Sequence, residues 1–551
     1  MPVLTVIIRV SLRFLRPPAV PLHSTSTPRH FPSRFDTRRM VEPAAVIVLV
    51  LGCGLAVFAY TARRNHSLSM PPGPRRLPLL GNIFNFPKSL DPQAFYELTR
   101  KYGDIVHLNV LGQRMIILGS YSTALDLLHI RSAMHSDRES SVMAELSGIS
   151  WILLLLPYGQ AWRQGRKVLH RFFDSIAVSQ FHSTQERQTR LLLNRLFETP
   201  DAFVDHLHLF VGATIMDITY GLDVAGSDNR FVALLADFAE AFEAAFAPGK
   251  YLVEMFPLLR NVPAWFPWAT FHRDASLYRE SFSAMRNEPF DRTLENMRRG
   301  EGNPCMVSAL MDDHSDGEMT WEDEQVARDA AGVIYMGGAD TVHASLQVFF
   351  LAMVLHPETQ KKAQAELDTI VGRARLPQMT DFGSLPYIQA LVLEVLRWKP
   401  IIGLGFPHKS RSDDVFRGYS IPKGSLIFAS SWAISRDPQM YPDPDNFIPE
   451  RFLKDGALRL DVLDPRLYAF GHGRRICPGR HFAEASLFIA VASVLHAFSI
   501  KPRCDVSGVP KLPEGKMKPG FLSFPETFEC EISSRSEKVE AVIKSEWANL
   551  Q

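Results

Sequence analysis

Cysteine is scarce in this 551-residue chain. The five present, Cys53, Cys305, Cys477, Cys504 and Cys530, are scattered, with no CxxC pair and no regular spacing. A structural zinc site or a disulfide framework is thereby excluded, and the odd count suits a cytosol-facing protein whose thiols stay reduced. Charge of one sign is lacking too. Sixty Lys and Arg stand against 59 Asp and Glu, a formal net charge of +1, so nothing points to nucleic acid as a partner. Repeats, Ser/Gly linkers and low-complexity tracts are absent. With 46% hydrophobic residues, the sequence from about Met70 reads as one large domain able to bury a sizeable cofactor.

Uncharged runs long enough to cross a bilayer are equally scarce. Residues 44–62, AAVIVLVLGCGLAVFAYTA, form one of nineteen residues, followed at once by Arg63 and Arg64. That length predicts a transmembrane anchor, and the arginines place everything after it in the cytosol. The preface complicates the topology: residues 1–39 carry seven arginines and a single acid, Asp36, a composition like a mitochondrial presequence. A chain starting at Met40 removes the conflict, so residues 1–39 read as an upstream extension, with a mitochondrial address as the alternative. The expected map is an extension (1–43), an anchor (44–62), a basic and proline-rich hinge (63–82), a catalytic domain (83–535) and a tail (536–551). The sequon Asn65-His66-Ser67 falls on the cytosolic side and is expected to be unmodified.

From about Glu324 to Leu355 a helical pattern runs for some thirty residues, against a usual ~10–14. Asp340 at its centre argues against a second membrane helix, so it reads as the central buried helix of a large α-rich domain. Gly337 and Gly338 each cost such a helix about 1 kcal/mol against alanine, which predicts a close approach or a bulge there. Asp340 and Thr341 beside them fit a hydrogen-bonded kink or a proton relay into a cavity. A second apolar helix, LPYIQALVLEVLRWKP (385–400), puts Glu394 and Arg397 on one face as a pair. A buried pair needs further partners, and Arg451 of PERF (449–452) is the candidate third member of a structural trio.

The stretch FGHGRRICPGRHF (470–482) delivers Cys477 to the start of an apolar helix. Its glycines allow tight turns, and the helix N-terminus is expected to favour a thiolate. A nucleophile, a redox switch and a metal ligand all need one. His472 is the local option as base for a nucleophile, and no resolving cysteine lies close by in the sequence. Arg475, with Trp162 and Arg166 at i, i+4 upstream, supplies donors suited to a carboxylate, which strengthens the ligand reading.

Taken together, PPGP, W-x-x-x-R (Trp162, Arg166), G-G-x-D-T (337–341), E-x-x-R (Glu394, Arg397), PERF and the loop of Phe470, Gly471, Gly473, Arg475, Cys477 and Gly479 occur in the order found in one family. The chain resembles the cytochrome P-450 haem-thiolate monooxygenases, in particular fungal microsomal members, over essentially all of residues 70–530. The resemblance implies a mainly α fold with small β-sheets and haem b as cofactor, with Cys477 as its axial thiolate. It implies Trp162, Arg166, His408 and Arg475 on the haem carboxylates, and Gly337, Gly338, Phe470 and Gly479 around the haem. Asp340 and Thr341 would supply protons for dioxygen activation, and Glu394, Arg397 and Arg451 would brace the cysteine loop. Also implied are an NADPH-dependent flavoprotein reductase, dioxygen, a lipophilic substrate from secondary metabolism (a terpenoid, polyketide or xenobiotic) and an endoplasmic-reticulum membrane. Val342 departs from the pattern, standing where a second hydroxyl often follows the threonine. A haem-thiolate isomerase or dehydratase working without dioxygen, or a non-catalytic haem binder, are the alternatives. Pocket walls are expected from residues 143–157, 251–268 and 401–405 and from the region of Phe521.

Overall fold

Asp91 accepts the Gln93 amide at 3.0 Å and Pro92 occupies the first helical position, so the described chain enters helix α1 (Pro92–Tyr102) with its cap supplied. The computed structural model describes residues 69–548 apart from 88–89, 225–229, 248 and 313–319. Anchor, extension and Asn65 lie outside them.

Strands β1 (Ile105–Val110) and β2 (Gln113–Leu118) follow as an antiparallel hairpin in which Ile105 faces Leu118. The large helices come next: α2 (Gln160–Phe173), α3 (His182–Glu198), α4 (Phe203–Tyr220), α5 (Arg230–Phe246), α6 (Thr270–Arg299), α7 (Trp321–Leu355) and α8 (Pro386–Trp398). Strands β3 (His408–Lys409) and β4 (Leu426–Ala429) return to the first hairpin, giving a sheet of order β1-β2-β4-β3 with β2 and β4 parallel. Helix α9 (Arg480–Ala497) leads into β5 (Phe498–Pro502), which pairs with β6 (Cys530–Ser534). The architecture is mainly helical with small sheets, as expected.

Helix α7 organises the core. It begins three residues before the expected start because Thr320 and Asp323 form a capping box, with side chain and backbone bonded both ways. At 35 residues it is ~52 Å long. From Val342 to Val354 every side chain is buried, and α4 is its main packing partner. The apolar window that could cross a membrane by composition is therefore a core helix. No bulge forms at the two glycines; α7 stays α-helical throughout.

Candidate active site

The cysteine loop is shaped by glycine. Gly471 and Gly473 take φ of +81° and +54°, and a Cβ at Gly473 would run into the Leu128 carbonyl. Cys477 N–H donates to the Phe470 carbonyl at 2.8 Å, closing the loop before α9 starts with Gly479 as its cap. Cys477 thus reaches a cavity of about 840 Å³ walled by α7 and by the chain after α8. Burial holds the Cys477 thiol above its ordinary pKa, and the Gly479 amide, Arg166 and Arg480 pull it down without prevailing. Desolvation outweighs the helix terminus, so ligation of a metal ion would have to release the thiol proton.

Three arginines crowd the same end of the cavity. Arg475 donates to the carbonyls of Ser136 (2.8 Å), Leu153 (3.3 Å) and Leu156 (2.8 Å) and lies over the Trp162 ring at 4.9 Å. Arg138 donates to the carbonyls of Leu154, Phe406 and Pro407, and Arg166 donates to the Ile476 carbonyl. Among the described residues these guanidiniums bond to carbonyls and not to carboxylates. Burial lowers Arg138 to about 9, helped by the charge of Arg475, and lowers Arg475 to about 10. His408, on β3, donates through Nδ1 to the His135 carbonyl at 2.7 Å, and burial with the charge of Arg138 holds its pKa well below normal. The charge of Asp137 reaches Arg138 and Arg475 but makes no ion pair with either among the described residues, so one carboxylate stands against several buried cations, which is costly. An anionic ligand edge would relieve that cost, and the soft Cys477 sulfur at the same cavity suits iron. The donor set therefore fits a flat iron macrocycle bearing carboxylates.

Helix α7 forms the opposite wall. At Gly337 a Cβ would meet no atom within 4 Å, whereas at Gly338 it would come within 2.6 Å of Ile215 Cδ1 on α4. One glycine keeps the wall open and the other lets two helices touch. Thr341 Oγ1 donates to the Gly337 carbonyl at 2.8 Å, and Asp340 lies in the same wall. Val342 is buried and also contributes to it.

The trio of Glu394 and Arg397 on α8 and Arg451 in the turn Pro449–Phe452 lies apart from this lining. Arg397 donates Nε to Glu394 Oε2 (2.6 Å) and Nη2 to Oε1 (2.8 Å), and its three other bonds reach the carbonyls of Ser435, Pro444 and Asn446. Arg451 Nε and the Ile448 amide donate to Glu394 Oε1 at 3.2 and 2.7 Å. Every N–H of Arg397 is engaged.

Cys477, Trp162, Arg166, Gly337, Gly338, Asp340, Thr341, His408, Phe470, Arg475 and Gly479 all line the one cavity. Of the expected pocket segments, Leu153, Leu154, Ile401, Ile402, Gly405 and Phe521 line it too. The 251–268 stretch does not: Trp265 and Trp268 are 80% and 68% exposed, and α5 supplies Phe238 and Phe242 instead. Arg138, His208 and His343 were not singled out for this site. Asp137-Arg138 carries no spacing relation to the cysteine loop, so only the fold brings them together.

The sequence profile of the family described as Cytochrome P-450 matches residues 71–531. The chain is similar to the cytochrome P-450 monooxygenase COX2 of Coprinopsis cinerea, with 38% identity over 89% of this chain and 94% of the relative. It is also similar to the cytochrome P-450 monooxygenase ple1 of Rhodocybe pseudopiperita, with 37% identity over 91% and 96%. A third relative is the cytochrome P-450 monooxygenase claR of Ampulloclitocybe clavipes, with 37% identity over 93% and 96%.

Proposed function

The chain belongs to the cytochrome P-450 family and is a haem-dependent monooxygenase, and from that premise we propose how its own residues serve the reaction and what it acts on. When bound, haem supplies reductive activation of dioxygen and the transfer of one oxygen atom to a substrate. Cys477 would hold the haem iron through its thiolate sulfur. Trp162, Arg166, His408 and Arg475, joined by Arg138, would hold the haem carboxylates through charge-assisted hydrogen bonds, with Phe470 and Gly479 lining the cysteine side of the cavity and Gly337 and Gly338 the α7 side. Thr341 and Asp340 hold and pass protons: the hydroxyl donates to Gly337 at rest and must turn into the cavity to deliver. Glu394, Arg397 and Arg451 fix the framework behind the loop.

The substrate is lipophilic, in the class of terpenoids, polyketides or xenobiotics of secondary metabolism. Phe238, Phe242, Ile401, Phe521 and Leu522 around the cavity support this. Electrons come from an NADPH-dependent flavoprotein reductase. Arg163 and Lys167, exposed on α2 beside the residues that face the haem cavity, offer a docking face for an acidic partner. The chain sits on the endoplasmic-reticulum membrane through residues 44–62, its catalytic domain in the cytosol.

The observation that carries this reading is one cavity holding Cys477, the arginine cluster and Asp340–Thr341 together. The test is the ferrous–CO difference spectrum of the membrane-bound protein beside Cys477→Ala. A strongly red-shifted Soret band that the variant loses is expected. A shorter-wavelength, nitrogen-ligated band in folded wild type would contradict the assignment and make His472 the next ligand to examine.

A further inference from the structure

Two histidines in the cavity wall, clustered with Asp340, are not used by the roles above. Helix α4 sends His208 against α7, where its Nε2 lies 3.6 Å from Asp340 Oδ1. Its ring packs on that of His343, the centroids 5.0 Å apart and the planes 32° from parallel. The three side chains offer nitrogen, oxygen and nitrogen atoms within 4.8 Å of one another, a donor set that by type suits a divalent metal. The hydrogen bonds argue otherwise. His343 Nε2 is 2.8 Å from Gln347 Nε2, an amide nitrogen that can only donate, so this ring nitrogen accepts. The ring also hydrogen-bonds to the backbone of Val204. His343 is thus held between two partners, and burial lowers its pKa to about 4, so at neutral pH it is an uncharged, fixed wall.

His208 is different. It is half-buried, no hydrogen bond among the described residues holds it, and Asp205, one turn earlier on α4, is exposed. The titratable groups facing it from α7 are Asp340 and His343. On the far side of the cluster Phe524 packs on His343 at 5.6 Å, and Lys518 of the same segment lines the cavity. From α3, Arg187 is engaged by Asp217 farther along α4. With His343 held on both sides, His208 is the imidazole of the cluster that no hydrogen bond among the described residues fixes, and it faces the Asp340 side chain.

We propose that His208 recharges Asp340 with protons, an entry route from α4 that serves in place of the second hydroxyl absent at Val342. The inference rests on Asp340 and Thr341 being the proton-delivering pair. The imidazolium releases its Nε2 proton to Asp340 Oδ1 and becomes neutral; the ring then takes a proton from water. At 3.6 Å the pair is too far apart for a direct hydrogen bond, so a small rotation or one bridging water closes the gap. His208 acts through Asp340 and is a positioning residue, not one that touches the reacting atoms.

The test uses the full chain in phospholipid vesicles with an NADPH-dependent flavoprotein reductase. NADPH oxidation and hydrogen peroxide release are measured without added substrate, in H2O and D2O. His208→Phe and His208→Gln are expected to slow NADPH oxidation about tenfold and raise the solvent isotope effect. Both must retain the ferrous–CO band, and Gln serves where Phe does not fold. Combined with Asp340→Asn, neither should slow the enzyme further than that variant alone. Wild-type rate and isotope effect in His208→Gln beside a slow Asp340→Asn would overturn the role of His208 alone. A wild-type rate in Asp340→Asn would overturn the underlying proton pair. Stoichiometric inhibition of wild type by Zn²⁺, absent in His208→Gln, would make the cluster a metal site and overturn the relay.

Discussion

Arg397 and Arg138 are both buried arginines, 0% and 7% exposed, yet they are solved in opposite ways. Arg397 carries its counter-ion with it: Glu394 takes two of its bonds, three carbonyls take the rest, and Arg451 shares the same carboxylate. Arg138 has carbonyl dipoles, two like-charged neighbours lining the same cavity, Arg475 and Arg166, and the charge of Asp137 without an ion pair among the described residues. A closed set of partners belongs to the fold. An open one, held rigid at the edge of a large cavity, belongs to a ligand that brings the missing charge. His343 shows a third solution, burial of a base in its neutral form between two hydrogen-bond partners.

Removing one member of the closed set should have the largest effect. Arg397→Ala leaves Glu394 buried beside Arg451 with its main partner gone, at a cost of about 3–5 kcal/mol. Little folded or haem-loaded protein is expected, read by soluble yield and the Soret absorbance. A normally loaded Arg397→Ala would erase the distinction between the two sets.

The neutral solution predicts a pH window. His343 titrates near 4 in the folded chain against 6.5 ordinarily. Above 6.5 both folded and unfolded forms are neutral and the full stability is present. As pH falls from about 6.5 toward 4, the unfolded state takes the proton and the native state does not, so stability drops, by roughly 3 kcal/mol at the limit. Unfolding midpoints against pH should show that fall in wild type and a shallower one in His343→Phe. Equal slopes would mean the imidazole is not neutral when folded.

The open set should respond least in stability and most in loading. Arg475→Met is expected to weaken haem retention by about 1.5–3 kcal/mol, the scale of a charged hydrogen bond. It should leave the unfolding of the haem-free chain within about 1 kcal/mol, because one buried like charge is gone. Dissociation of haem to an acceptor protein and denaturant melts of the haem-free chain measure the two sides.

What could be read from the sequence follows from how the features are encoded. The cysteine loop, Trp162–Arg166 and Glu394–Arg397 lie within a few residues of each other, so spacing on one loop or helix face brings them together. PERF was tied to Glu394 because a buried carboxylate with one arginine wants more donors, and the structure puts Arg451 on it at 3.2 Å. Arg138 meets Phe406 and Pro407, and His208 meets Asp340, across more than a hundred residues, and neither leaves a periodic trace. The 251–268 stretch misled for another reason: aromatic composition cannot tell a cavity wall from an exposed face, and Trp265 is 80% exposed. At Cys477 burial raises the thiol pKa against the pull of the Gly479 amide, Arg166 and Arg480, a balance set by the folded cavity that the loop's residue pattern does not carry.

The most direct measurement is a comparison of two ligands. Haem and haem dimethyl ester, whose carboxylates are blocked, would be titrated into the haem-depleted chain and into Arg138→Met and Arg475→Met. If the open arginines wait for carboxylates, wild type should bind free haem far more tightly than the ester, and each variant should erode that preference. Equal affinity of wild type for both ligands would contradict it, and the arginine cluster would then belong to the fold as Arg397 does.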